Sequence, residues 1–319
     1  MKDILGMSNM QWKGMIAVSV LLIAAGSQKV QSNLLQAALA WIGSFFESLW
    51  LKTLSIFGTT QFAMYYQLFL TVYFLCYWIP SCFYLVLDLT GKPLALTKYK
   101  IQTDRNQPLS KEDLWKCLRV VIPNNVLVAL VVFLYFPVFC WRDLPFTEQL
   151  PNLLNLVAQL LGCVVLEEIM FYYVHRLLHI PFLYKHIHKV HHEWKAPIAV
   201  SALYAHPLED IMVNILTVVI APTIVRCHVF TTCVWIAMAT LNTVHAHSGY
   251  HFPGMPSPES HDYHHVYINQ CYGFSGILDH LHGTNMKFAK SVQSQRNKVF
   301  YSLTPIRKLI PAENGRKQR

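Results

Sequence analysis

From Thr53 to Leu87 the chain carries no Asp, Glu, Lys, Arg or His. A helix needs about 20 largely uncharged residues to cross the hydrocarbon of a bilayer, so this stretch is long enough to do so, with Pro80 as an expected kink. Other runs repeat the pattern. Val120 to Trp141 lies between Arg119 and Arg142, and Gln149 to Leu166 ends at Glu167 and Glu168. Ile211 to Val225 and Val229 to Val244 are separated only by Arg226, Cys227 and His228, and this shorter pair reads as a re-entrant hairpin. Gly14 to Gln28 and Val30 to Phe46 fit one crossing, a hairpin or an interfacial helix. The first of these lacks a small-residue cleavage site and is read as mature chain rather than a signal peptide.

Composition agrees with a lipid-solvated chain. Charged residues make up 13% and hydrophobic ones 54% of the 319, against roughly 25% charged in a soluble domain. The expected class is all-α, a multi-span integral membrane helical bundle. Disordered, collagen-like and disulfide-scaffold classes are excluded. The eight cysteines form no CxxC and mostly sit in apolar runs, where a reduced thiol acts as a small hydrophobe. The net charge of +9 comes mostly from segments flanking apolar runs, as membrane-side charge does, which argues against a nucleic-acid partner.

Positive charge sets the expected orientation. Lys92, Lys98, Lys100, Arg105, Lys111, Lys116 and Arg119 crowd residues 88–119, whereas residues 142–149 hold only Arg142. The first loop is expected in the cytosol and the second in the lumen. The chain after Gln149–Leu166 then returns to the cytosol, and so does the tail, which holds nine Lys and Arg after residue 286.

All 16 histidines lie between His175 and His282. Three tight groups stand out: His175 with His179, then His188, His191 and His192, then His261, His264 and His265. Residues three and four apart share a helix face with Cβ atoms about 5–6 Å apart, so imidazoles at these spacings can converge on one ion. Eight nitrogens exceed the four ligands of one zinc, and two metals are expected. Imidazole suits Fe, Zn and Cu, so spacing leaves the metal open. His247, coming off the second arm of the hairpin, is expected to add a ligand, with His245 and His251 as further candidates. Glu168 lies seven residues before His175, nearly in phase with it, and could accept from the outer N–H of a ligand ring. His206 is a candidate for similar support. His186, His228 and His282 read as polar tips at the interface. The histidines lie outside the long apolar runs and in ligand spacing, which argues against a transporter with intramembrane relay groups.

These residues resemble the fatty acid hydroxylase/sterol desaturase superfamily, membrane di-iron oxygenases marked by HxxxH, HxxHH and HxxHH in that order. The resemblance covers roughly 160–290 and extends to Phe171-Tyr172-Tyr173-Val174-His175-Arg176, His247-Ser248-Gly249-Tyr250 and Leu278-Asp279-His280-Leu281-His282-Gly283-Thr284. The set is most similar to the C4-methylsterol oxidase branch, which commonly has an acidic residue where this chain has His251. The resemblance implies N-terminal anchoring helices over 1–159, a catalytic domain over 160–290 and a basic cytosolic tail over 291–319. It also implies two iron ions, with zinc as a substitute in isolated protein, on His175, His179, His188, His191, His192, His247, His261, His264 and His265 in a cytosolic cap. Tyr172 and Asp279 would support those ligands. The implied activity is oxidation of a C–H bond of a membrane lipid with O2 and electrons from NAD(P)H through cytochrome b5, in the endoplasmic reticulum. A C4-methylsterol is the first expected substrate. A fatty acyl or sphingolipid chain, hydroxylated or desaturated, is the alternative, and a metal-bound regulator without turnover is the non-enzymatic one.

Overall fold

The computed structural model describes residues 36, 37 and 40–312. The run Gly14 to Gln28, eight of the 17 residues of Val30 to Phe46 and the last basic residues, Arg316 to Arg319, lie outside them. The described residues contain helices and no strand, with one isolated bridge between Lys100 and Tyr250.

The long uncharged run is not one helix. Gly58, at φ 78, adopts a left-handed backbone that costs glycine little, and it ends the helix α1 over residues 40–57. That helix, taken by itself, exposes Trp41, Phe45, Leu49 and Ile56. The larger unit takes in residues 57–147 and 151 onward. Five of its helices are long and apolar enough to cross a membrane: α2 (Ala63–Thr90), α3 (Lys111–Arg142), α4 (Leu153–Leu178), α5 (Pro207–Val225) and α6 (Val229–His247).

Each boundary has a local cause. Ser110 caps α3 by accepting from Asp113 N, and Asn152 caps α4 by accepting from Asn155 N, satisfying backbone donors that the first turn leaves free. On α2, Leu75, Ile79, Phe83 and Val86 are exposed at helical spacing, and Val126, Leu130, Phe133 and Leu134 are exposed on α3. Large apolar side chains facing outward are the mark of a lipid-facing surface.

The pair α5 and α6 departs from the expected re-entrant hairpin. Each arm is 19 residues long, and the turn between them meets the α3–α4 connection. Val229 N donates to Pro145 O at 2.8 Å, and Arg142 Nε donates to Thr223 O at 2.9 Å. The helices outrun their uncharged stretches because Glu209, Asp210, His245 and His247 are buried within or at the end of them instead of facing water.

The core that carries the histidines lies where α2, α3 and α6 meet the segment 196–205. Tyr77, Leu87, Val121, Ile198, Leu203, Val244 and Tyr250 pack there. Asn124 of α3 donates to the carbonyls of Leu203 and Ala205 at 2.9 Å each. A buried ion pair, Lys100 Nζ to Asp88 Oδ1 at 2.6 Å, also takes the Tyr250 hydroxyl at 2.9 Å. It fastens the end of α2 to the segment leaving α6.

Candidate metal centre

At 1.5 Å per residue the 26 residues of α4 reach about 39 Å, longer than a hydrocarbon core of about 30 Å. By length alone its last turn, with His175, and the capping His179 can extend past such a core. The chain then turns at Pro181 into a π-helical segment, Tyr184–His188, closed by Lys189 N donating to Tyr184 O at 2.8 Å, and on into a 3-10 turn, His191–Glu193. The third histidine motif sits on a regular helix, α7 (Glu259–Tyr267).

The histidines converge in two groups, His175, His179, His188, His192 and His264 in one and His191, His247, His261 and His265 in the other. In each group one ligand atom per residue lies within 4.8 Å of all the others. In the first group His175 Nε2 is 3.1 Å from His188 Nε2 and 3.3 Å from His179 Nε2, and His192 Nε2 is 3.0 Å from His188 Nε2. In the second, His247 Nε2 is 2.9 Å from His261 Nε2 and 3.3 Å from His191 Nε2, and His265 Nε2 is 3.1 Å from His261 Nε2. Each HxxHH motif is divided, giving its first and last histidines to one group and its middle one to the other. Residues i+3 and i+4 differ by about 100° around a helix, so one motif faces two sites at once.

Backbone carbonyls decide which nitrogen holds the proton in four rings, and a carboxylate lies beside a fifth. His175 Nδ1 is 2.7 Å from Tyr272 O, His264 Nδ1 2.7 Å from Gln270 O, His191 Nδ1 3.2 Å from Tyr204 O, His247 Nδ1 2.8 Å from Thr243 O, and His188 Nδ1 2.9 Å from Glu209 Oε1. A ring that donates from Nδ1 presents a lone pair at Nε2. Burial pushes His191 down to about 4 and lowers His179, His188, His192, His261, His264 and His265, with neighbouring imidazoles adding to the effect. The rings are therefore neutral at pH 7. His191 and His247, both donating from Nδ1, turn neutral Nε2 lone pairs on one another at 3.3 Å, and these repel unless a cation lies between them. Nitrogens about 2.1 Å from one ion would stand about 2.9–3.4 Å apart, so both groups fit a metal. His264 Nε2, buried and without a hydrogen-bond partner, points the same way.

Glu168 holds no ligand ring. Its oxygens accept from Ser275 N at 3.0 Å and Leu278 N at 3.2 Å, at the start of α8 (Ile277–His282). Asp279 accepts from Tyr272 N and Gly273 N at 2.8 Å each and from the Thr284 hydroxyl at 2.6 Å. Both carboxylates thus act through the backbone, fixing the segment whose Tyr272 carbonyl receives His175. A Cβ on Gly273 would lie 2.9 Å from Glu168 Oε1 and 3.1 Å from Asp279 Oδ2, so only glycine passes between them. Ile268 (φ 65) and Cys271 (φ 59) hold left-handed conformations costly for such side chains, and they flank Gln270, the carbonyl partner of His264.

Tyr172 places its hydroxyl 3.1 Å from that of Thr284 and stacks its ring on His282. His206 caps α5, its Nδ1 accepting from Leu208 N at 3.2 Å. His245 and His251 fall outside both groups. The Tyr84 hydroxyl lies 2.8 Å from His245 Nδ1 and Pro256 O lies 2.9 Å from its Nε2, while His251 Nε2 is 3.1 Å from Lys298 O. The carboxylate that does meet a ligand ring is Glu209, 3% exposed. Its sequence signal was an acid placed three residues after His206 at the head of an apolar run.

A cavity of about 350 Å³ runs from His175, His188, His191, His247 and His261 down between the helices. Val128, Val132, Val164, Val218, Trp235 and Ile236 form apolar wall, and Glu167, Glu209 and Asn214 interrupt it.

The profile of the fatty acid hydroxylase family matches residues 160–284, a stretch holding all nine converging histidines. Human fatty acid hydroxylase domain-containing protein 2 is 40% identical over 84% of this chain and 81% of its own length. The chain belongs to the fatty acid hydroxylase family. Within this family, methylsterol monooxygenase 1 of Rattus norvegicus is 32% identical over 76% of this chain and 84% of its own, and fatty acid hydroxylase ahd1 of Mycosarcoma maydis 38% over 63% and 52%. No solved structure matches the chain. Family membership makes it a membrane oxygenase acting on lipid, with a histidine cluster suited to metal.

Proposed function

We propose that this protein oxidises a C4-methyl group of a sterol at a di-iron centre. One observation carries the reading: both histidine groups close the same end of an apolar cavity that continues between membrane-length helices. The similarity to methylsterol monooxygenase 1 supports the substrate class. His175, His179, His188, His192 and His264 would hold one ion and His191, His247, His261 and His265 the other. Iron bound there would supply the reduction of O2 that attack on an unactivated C–H bond requires. The balance is one methyl, one O2, two electrons and two protons giving one hydroxymethyl and one water. The electrons would come from NAD(P)H through cytochrome b5.

The chain's own part is to bind, orient and exclude water. The carbonyls of Tyr272, Gln270, Tyr204 and Thr243 hold four ligand rings in one tautomer, and Glu168 and Asp279 hold the segment that bears Tyr272. Valine, tryptophan and isoleucine walls accept a flat apolar body entering sideways from lipid. The excess of Lys and Arg in residues 88–119 over 142–149 supports a cytosolic metal end, as expected of an enzyme of the endoplasmic reticulum. The similarity to fatty acid hydroxylase ahd1 favours acyl hydroxylation as the second reading.

Cells lacking the protein, profiled for sterols and hydroxylated acyl lipids together, test the choice. C4-methylated sterols should accumulate, and the intact protein but not His191→Ala should reverse this. Unchanged sterols with loss of hydroxylated chains would establish the second reading instead, and no change in either would favour a regulator without turnover.

A further inference from the structure

The cavity's metal end contains a carboxylate with one oxygen beside two ligand rings and the other unpaired. Glu209 is 3% exposed, and its Oε1 lies 2.9 Å from His188 Nδ1 and 4.0 Å from His191 Nδ1. Its Oε2 is buried with no hydrogen-bond partner, and the residue lines the cavity beside His188 and His191. A carboxylate oxygen buried without a donor is destabilising, so this position calls for a donor that the described residues do not provide.

We propose that Glu209 Oε2 accepts the hydroxyl of the substrate and thereby selects a lipid whose hydroxyl sits next to the carbon bearing the oxidised methyl. The inference rests on the sterol reading. A C4-methylsterol carries its 3-hydroxyl on the carbon adjacent to C4, so a methyl brought to the metals brings that hydroxyl to the same end of the cavity. Glu209 Oε1 lies 2.9 Å from a ring of the first group and 4.0 Å from a ring of the second, and the residue lines the metal end of the cavity, which brings its free oxygen within that reach. An acyl chain presents methylenes at the corresponding place, and a carboxylate or amide carbonyl beside the reacting carbon would set acceptor against acceptor, which repels. The cavity's other unpaired carboxyl oxygen is Glu167 Oε2. It belongs to α4 eight residues before His175, about 12 Å along the axis, too far for a group on the adjacent carbon. Glu209 therefore sets one oxygen beside His188 and reads the substrate with the other.

The test measures equilibrium binding of 4-methylcholestan-3-ol and of 4-methylcholestan-3-one to the full-length, metal-loaded protein in nanodiscs, with metal content counted in each sample. A carboxylate accepts from the alcohol and has nothing to give the ketone, so the wild type should favour the alcohol by about 10-fold or more. In Glu209→Gln the amide oxygen turns to His188 Nδ1–H, because the amide NH2 would confront another N–H. The NH2 is left to donate to either sterol oxygen. Both metals should remain, and the preference should fall to within about 3-fold. Glu167→Gln should keep the wild-type ratio. Equal affinity of the wild type for alcohol and ketone overturns the proposal, whatever metal E209Q retains, and so does a ratio that survives E209Q with both metals bound. A ratio that collapses in E167Q instead assigns the hydroxyl to the far carboxyl and overturns it too. Failure of the wild type to bind either sterol removes the sterol reading itself, which distinguishes that failure from the others.

Discussion

At the residue scale, His191 and His192 are neighbours in sequence and belong to different groups. This partition has a consequence that a single shared site would not produce. If each group holds one ion, His191→Ala should lower the metal content by about one ion per chain through the second group. His192→Ala should lower it by about one through the first. Paramagnetic or optical titration with a substituted metal would tell the two remaining ions apart, and identical residual signals from both variants would contradict the division. His245→Ala and His251→Ala should leave both ions in place, since those rings bond to Tyr84, Pro256 and Lys298. Eight of the nine converging histidines stand out because ligand spacing is a periodic signal, and His247 from its place at the end of the second apolar arm. Their division between two groups does not, because spacing shows which rings share a face within one motif but not which rings of three separate segments meet around one ion. Glu209 escaped for another reason. A carboxylate that bonds a ligand ring from a different helix has no fixed spacing from it, whereas Glu168, in phase with His175, caps α8 instead.

At the element scale, the segment 270–279 is the part of the centre that owes most to contacts distant in sequence. It delivers two carbonyls to two ligand rings and is clamped from α4 by Glu168 and from α8 by Asp279. Gly273→Ala forces a methyl into a space bounded at 2.9 Å. The segment must shift, the Tyr272 carbonyl must leave His175, and the affinity of the first group for metal should fall by about 10-fold, the usual scale for losing an outer hydrogen bond to a ligand. Metal transfer to a competing chelator measures this, and an unchanged affinity would show that the carbonyl does not matter. Helix existence could be read from uncharged runs, but helix ends could not. Charges mark a boundary only when they face water, and Glu167, Glu168, Glu209 and Asp210 are buried. The break at Gly58, in turn, falls inside a run that charge counting treats as continuous.

At the scale of the whole molecule, the turn between α5 and α6 meets the α3–α4 connection, whereas the far ends of both arms, Pro207 and His247, lie with the histidines. Arms of 19 residues rise about 28 Å, close to the full hydrocarbon thickness. The turn therefore belongs to the side opposite the metals, and a segment that dips in from the metal side and returns early does not describe it. Arg226 sits in that turn, exposed, 3.6 Å from Asp143. An Arg226→Cys variant in sealed microsomes should resist a membrane-impermeant thiol reagent added outside and react once the vesicles are opened, above the background of the native cysteines. A glycan acceptor introduced at residues 142–147 should be modified in the same preparation. Labelling of the introduced thiol in sealed vesicles, with the tail also accessible from outside, would put the turn and the metal end on one side and restore the re-entrant hairpin that the charge pattern alone suggested.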